Sequence, residues 1–130
     1  MTPQEVFDQV VAHLRKQGRQ AKNRADSKCK YRTTVNIDGQ DVVLSCAAGC
    51  LMQDNEYNLR MDLPDNSTFK NVITQDWVSQ SLKDRLGPHV ELITKLQVVH
   101  DSMYAPQNWE SQLQRVAHEE NLKYTPPESK

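Results

Sequence analysis

Three cysteines and one histidine–aspartate pair hold most of the reactive chemistry in this 130-residue chain. Cys46 and Cys50 lie four residues apart, and the hairpin register argued below puts Cys29 on the same face as Cys46, one pair away on the diagonal. Three converging thiolates need one more ligand to close a tetrahedral zinc site. His100 is the first candidate, with His13 and His89 behind it. The spacing is not that of a CxxC knuckle, so small buried thiols are the plainer expectation. A disulfide is disfavoured by the odd count and by a reducing cytosol.

A catalytic reading takes Cys46 or Cys50 as nucleophile, His100 as base and Asp101 as its orienter. Adjacent residues on a helix point about 100° apart, which sets Asp101 against that role, and Gly49 alone could serve an oxyanion loop. No Walker loop, GxGxxG, HExxH or nucleophile elbow occurs in the chain. The expectation is a protein that is not an enzyme. Asp54, Glu56, Asp62 and Asp65 form an acidic stretch without EF-hand spacing, expected as solvated surface.

The formal net charge of −1 conceals an uneven distribution. From Arg15 to Arg32 there are eight cations (Arg15, Lys16, Arg19, Lys22, Arg24, Lys28, Lys30, Arg32) and one acid, Asp26, a local +7 against −8 for the remainder. Clustered cations concentrate anions and steer association, so this segment is the expected contact surface for an acidic partner protein. Arg15, Arg19, Lys22, Arg24, Lys28, Tyr31 and Arg32 are the candidate contacts, with Tyr31 and Arg32 as anchors and Arg19, Lys22 and Arg24 setting the on-rate. Nucleic acid is the alternative partner, although Tyr31 is the segment's one aromatic and single-strand binders interleave several with their cations.

The elements that must position these residues are legible in outline. Thr2, Pro3 and Glu5 read as a helix start with a capping box; Val6, Phe7, Val10, Val11 and Leu14 form an apolar stripe, and Gly18 ends it. Tyr31–Ile37 and Gln40–Cys46 are β-rich runs joined by Asp38-Gly39, the signature of a type I′ hairpin. That turn places Tyr31, Thr33, Val35, Ile37, Val42, Leu44 and Cys46 on one face, for the first helix to cover, and a third strand is expected from 57–62 or 68–73. Residues 62–71 read as loop. Thr74 is expected to cap a helix bearing Trp77, Val78, Leu82 and Leu86; a second runs from Val90 to Met103, with His100 on its apolar face, and a third starts near Pro106. The fold class is α+β: an N-terminal helix on a small antiparallel hairpin, followed by about three helices. Residues 1–125 are expected as one domain and 126–130 as a flexible tail.

With 37% apolar and 25% charged residues, four Gly and six Pro, collagen-like and low-complexity chains are excluded. No apolar run approaches the roughly 18 residues of a membrane span, and the first residues lack the basic and apolar regions of a signal peptide, so a cytoplasmic protein without membrane contact is expected.

Tyr31-Arg32, Gly39, Cys46-Ala47-Ala48-Gly49-Cys50-Leu51, Asp54 and Tyr57, with Gln4–Asp8 at the start and Leu96–Asp101 later, form a pattern over most of residues 1–122. It resembles a family of small uncharacterised proteins encoded by tailed phages and prophages, from which the hairpin here departs by its greater length. The resemblance implies no cofactor or catalytic residue. It implies an accessory protein that binds and modulates a host protein, acting in the host cytoplasm.

Overall fold

The computed structural model describes residues 1–22, 30–62, 68–101 and 108–126. The architecture is α+β: a helix, a two-stranded antiparallel hairpin, then helices. Helix α1 spans Pro3–Gln17. Its capping box forms as the sequence predicts: Thr2 Oγ1 accepts the Glu5 amide at 3.1 Å, and Glu5 Oε1 accepts the Thr2 amide at 2.8 Å. At the other end Gly18 takes φ +66° and returns its amide to Leu14. The expected stripe from Val6 to Leu14 is buried, each such side chain contributing about 1.5–3 kcal/mol.

Strands β1 (Arg32–Ile37) and β2 (Gln40–Ser45) pair in the predicted register, Ile37 opposite Gln40 and Thr33 opposite Leu44. Asp38 and Gly39 both take positive φ, 52° and 85°, as a type I′ turn demands. Burial is graded along the hairpin. Tyr31, Leu44 and Cys46 at its base are in the core, whereas Val35, Ile37 and Val42 are half-buried. The reason is that α1 does not lie along the sheet face. It packs on α4 (Val90–Asp101) and on the 3-10 turn Gly49–Leu51, and meets the hairpin at Ser45.

Among the described residues no third strand forms. Leu59–Asp62 is a 3-10 turn, and Phe69–Val72 is a one-turn helix, α2, whose cap Thr68 accepts the Asn71 amide. Helix α3 (Gln80–Leu86) is capped by Ser79, not by Thr74, because Ser79 has the extended backbone and the hydroxyl that accepts the Leu82 amide. Helix α5 spans Trp109–Glu119. The predicted ends at Met103 and Pro106 and the tail 127–130 lie outside the described residues.

The core converges on Cys46–Met52. Cys46, Ala47, Ala48 and Gly49 are buried, and this turn is held from every side: the Cys46 amide donates to Tyr31 O, Gln97 Oε1 accepts the Ala48 amide at 3.0 Å, Gln9 reaches Cys50 O, Arg85 reaches Leu51 O and Arg32 reaches Met52 O. Gly49 is required by proximity. A Cβ there would lie 2.1 Å from Tyr31 O, a backbone atom that cannot rotate away. Gly49→Ala is therefore expected to cost at least ~3 kcal/mol and to lower the melting temperature by on the order of 10 °C. Gly87→Ala, where the added carbon meets nothing within 4 Å, is the control for calorimetry and should change little.

Candidate functional site

The basic segment divides into cations that the fold uses and cations that it leaves free. Arg15 is used: its guanidinium grips Glu110 at 3.0 and 2.8 Å, donates to Thr125 O at 2.7 Å and lies over the Tyr124 ring. This clasp ties α1 to α5 and to the chain that follows. The Arg15 side chain holds the Glu110 carboxyl below the usual carboxylate range. Arg32 is used as well, paired with Asp54 at 2.8 Å and stacked over Tyr57. Tyr31, expected as a surface anchor, is in the core at 6% exposure, with its amide held by Asp62 Oδ1 at 2.6 Å. Arg24 and Lys28 lie outside the described residues.

Lys16, Arg19 and Lys22 are exposed and have no carboxylate partner among the described residues. Lys16 and Arg19 stand beside a groove of about 420 Å³ between the end of α1 and the hairpin, whose apolar wall is Ile37, Val42, Val43 and Leu44. Val43 is 62% exposed. His13 and Gln17 form the groove's inner end, where both donate to Ser45 O. The sequence counts Lys16 in the basic run but not among the candidate contacts, and it does not reveal the groove. The signal that finds them is structural, since α1 stops at Gln17 beside strand β2.

The cysteines and His100 do not come together as a metal or nucleophile site. The Cys46 thiol is fully buried and receives the Gly49 amide at 3.3 Å; burial drives its pKa far above the ordinary thiol range. Cys50 donates to Ala47 O at 3.1 Å, and burial pushes its thiol up to about 12. Cys29 lies outside the described residues. His100 is fully buried, stacks on Trp109, and has both ring nitrogens occupied: Nδ1 meets Asp101 Oδ1 at 2.6 Å and Nε2 accepts the Ala21 amide at 3.0 Å. This pattern requires the neutral Nδ1–H tautomer, with no lone pair left for zinc. Asp101 therefore does orient its neighbour, against the helical-wheel expectation, because a side-chain rotamer closes the angle between adjacent residues. What the pair positions is backbone: Gln20 Nε2 donates to His100 O, and the Lys30 amide donates to Ala21 O at 2.7 Å, closing the neck of the basic segment.

The acidic stretch divides: Asp54 is exposed as expected, whereas Glu56 and Asp62 are part of the internal structure. Glu56 is 4% exposed and ion-paired to Arg85, with Ser81 donating to its other oxygen. Asp62 gathers the Tyr31 amide and the Tyr57 hydroxyl. Asp65 lies outside the described residues. Among the described residues no group of three or more His, Cys, Asp or Glu side chains could hold a metal ion, and no helix is long and apolar enough to cross a membrane.

The chain matches no family model, no curated protein and no solved structure.

Two measurements check this geometry. In a Cys29→Ser chain, Cys46 should react with a chromogenic disulfide reagent at least about a hundredfold slower when native than in denaturant, and half-buried Cys50 more slowly by a smaller factor; equal native and denatured rates at Cys46 would contradict its burial. His13, whose pKa burial lowers from 6.5, is protonated first in the unfolded chain. Its contribution is complete above pH 6.5 and is lost as the pH falls toward its folded value, with a slope of at most ~1.4 kcal/mol per pH unit. His13→Gln, able to keep the bond to Ser45 O, should flatten the stability profile between pH 6.5 and about 5, above the range where carboxylates titrate. An unchanged slope would place the burden elsewhere.

Proposed function

We propose that the chain is a non-enzymatic accessory protein of the tailed-phage type, which binds and modulates a host protein through its basic groove beside the hairpin. The observation that supports this reading most is that two unmatched cations, Lys16 and Arg19, with Lys22 exposed nearby in sequence, stand beside a groove lined by half-buried Val42 and exposed Val43. Cations that the fold needs are already neutralised, as at Arg15 and Arg32. Those that remain contribute nothing evident to folding, and charge left at a groove rim acts mainly on encounter rate and partner choice. An apolar wall supplies the buried contact that charge alone does not. The reading thus moves the anchor from Tyr31 and Arg32 to the hairpin wall and keeps Arg19 and Lys22 as steering groups.

A protein partner is favoured over single-stranded nucleic acid, because Tyr31 lies in the core and the described part of the segment presents no stacking aromatic. A buried Cys46, a half-buried Cys50 whose thiol donates to Ala47 O, and a fully bonded His100 speak for binding rather than catalysis.

Reversing Arg19 and Lys22 to Glu should reduce capture of the partner from bacterial host lysate by about tenfold at low salt and leave the melting temperature unchanged. Undiminished capture would remove the basic groove from the interaction. Capture of nucleic acid alone, falling steeply with salt, would replace the protein partner.

A further inference from the structure

We propose that the groove takes its partner as an added β-strand: an extended acidic segment that pairs with the outer edge of β2 at Asp41 and Val43. This rests on the basic-groove reading and names the chemistry of its occupant.

The argument begins with backbone bookkeeping. The Cys46 amide donates to Tyr31 O across the hairpin, so in an antiparallel ladder the hydrogen-bonded pairs alternate from there: Thr33 with Leu44, Val35 with Val42, Ile37 with Gln40. The intervening residues turn their amides and carbonyls outward. On β2 these are Asp41, Val43 and Ser45. Ser45 is already served, because the Gln17 carboxamide accepts its amide at 2.9 Å and donates to its carbonyl at 2.9 Å, as one residue of a neighbouring strand would. No described residue does the same for Asp41 or Val43, which leaves two amides and two carbonyls on the outer edge of β2, Val43 at the groove and Asp41 beyond it.

Exposed edges are ordinarily blunted by proline, by a bulge or by a lysine pointing inward. From Val42 to Leu44 the edge has none of these. On β1 the corresponding outward groups at the base belong to Arg32, opposite Ser45: its amide faces Asp62 Oδ2 at 3.5 Å, its carbonyl accepts the Tyr57 hydroxyl at 3.4 Å, and its side chain is neutralised by Asp54. Both edges are served at the base and open beyond it, so what separates them is charge: Lys16 and Arg19 flank β2. Charge complementarity selects an acidic strand with its carboxylates toward Lys16 and Arg19 and its alternate, apolar side chains on the Val43 side. The same cations argue against a second copy, since pairing two β2 edges would bring like charges together. Asp41, two residues from Val43 and on the same face, disfavours acids on that side of the added strand.

The probe is a capped seven-residue peptide alternating valine and glutamate, titrated into the full isotope-labelled chain. Strand addition predicts binding, with amide exchange at Asp41 and Val43 slowed by at least about tenfold, and affinity reduced by about tenfold or more when alternate peptide amides are N-methylated or when lysine replaces glutamate. These changes are made in the peptide, so folding of the chain is not at issue. Absence of binding overturns the proposal. So does binding that ignores N-methylation or leaves Asp41 and Val43 exchanging freely; if Arg19→Glu and Lys22→Glu still reduce partner capture about tenfold, the basic groove then stands without strand addition. A dimer by light scattering, with the same two amides protected in the free chain, overturns it in favour of self-pairing.

Discussion

The contact on which the molecule turns is the approach of Gly49 to the carbonyl of Tyr31. It forces the chain after β2 to fold back under the first residue of the hairpin, closer than any side chain at 49 would permit. The small residues Ala47 and Ala48 let that turn sit inside the core, where α1, α3 and α4 each send a polar side chain to satisfy its backbone: Gln9, Arg85 and Gln97. A buried turn without such partners would leave peptide groups unpaired at a cost of about 1–3 kcal/mol each. The Cys46–Cys50 segment, chemically the most suggestive part of the chain, is therefore its keystone, and its thiols are there for their size.

Fixing the hairpin at its base has a consequence at its tip. Because α1 is committed to α4 and to the keystone turn, its hydrogen bonds to the sheet, among the described residues, go to Ser45. Gln17 closes the β2 edge for one residue, and the strand beyond it is left with a half-covered face and an open edge. The unmatched cations stand at the same place, since α1 ends there and the basic segment begins. Stability and exposure are thus two results of one arrangement: the polar groups that hold the core are spent on the turn, and those that remain are gathered at the groove.

Local signals were legible in the sequence where one residue type has one physical use. Thr2-Pro3-x-Glu5 specified a capped start, Gly18 a left-handed stop, and Asp38-Gly39 the hairpin with its register. Signals that depend on tertiary partners were not. Glu56 read as surface because nothing local reveals Arg85 and Ser81, and Tyr31 read as an anchor because its place beneath the turn is set by Asp62 and Gly49, far along the chain. Ser79 displaced Thr74 as a cap by one turn of backbone geometry that composition does not distinguish. The charge segment was visible as a run. Which of its cations are free depends on Glu110, at position 110, and Asp54, which pair with Arg15 and Arg32.

A rigid keystone beside an open strand edge is the central claim, and residue-resolved amide hydrogen exchange on the free chain tests it most directly. The amides of Cys46, Ala48, Cys50 and Leu51, all bonded inside the core, should exchange only through global unfolding, while those of Asp41 and Val43 exchange almost as fast as in an unfolded peptide. Rapid exchange at Cys46–Leu51 would contradict the keystone, and protection at Asp41 and Val43 would contradict the open edge.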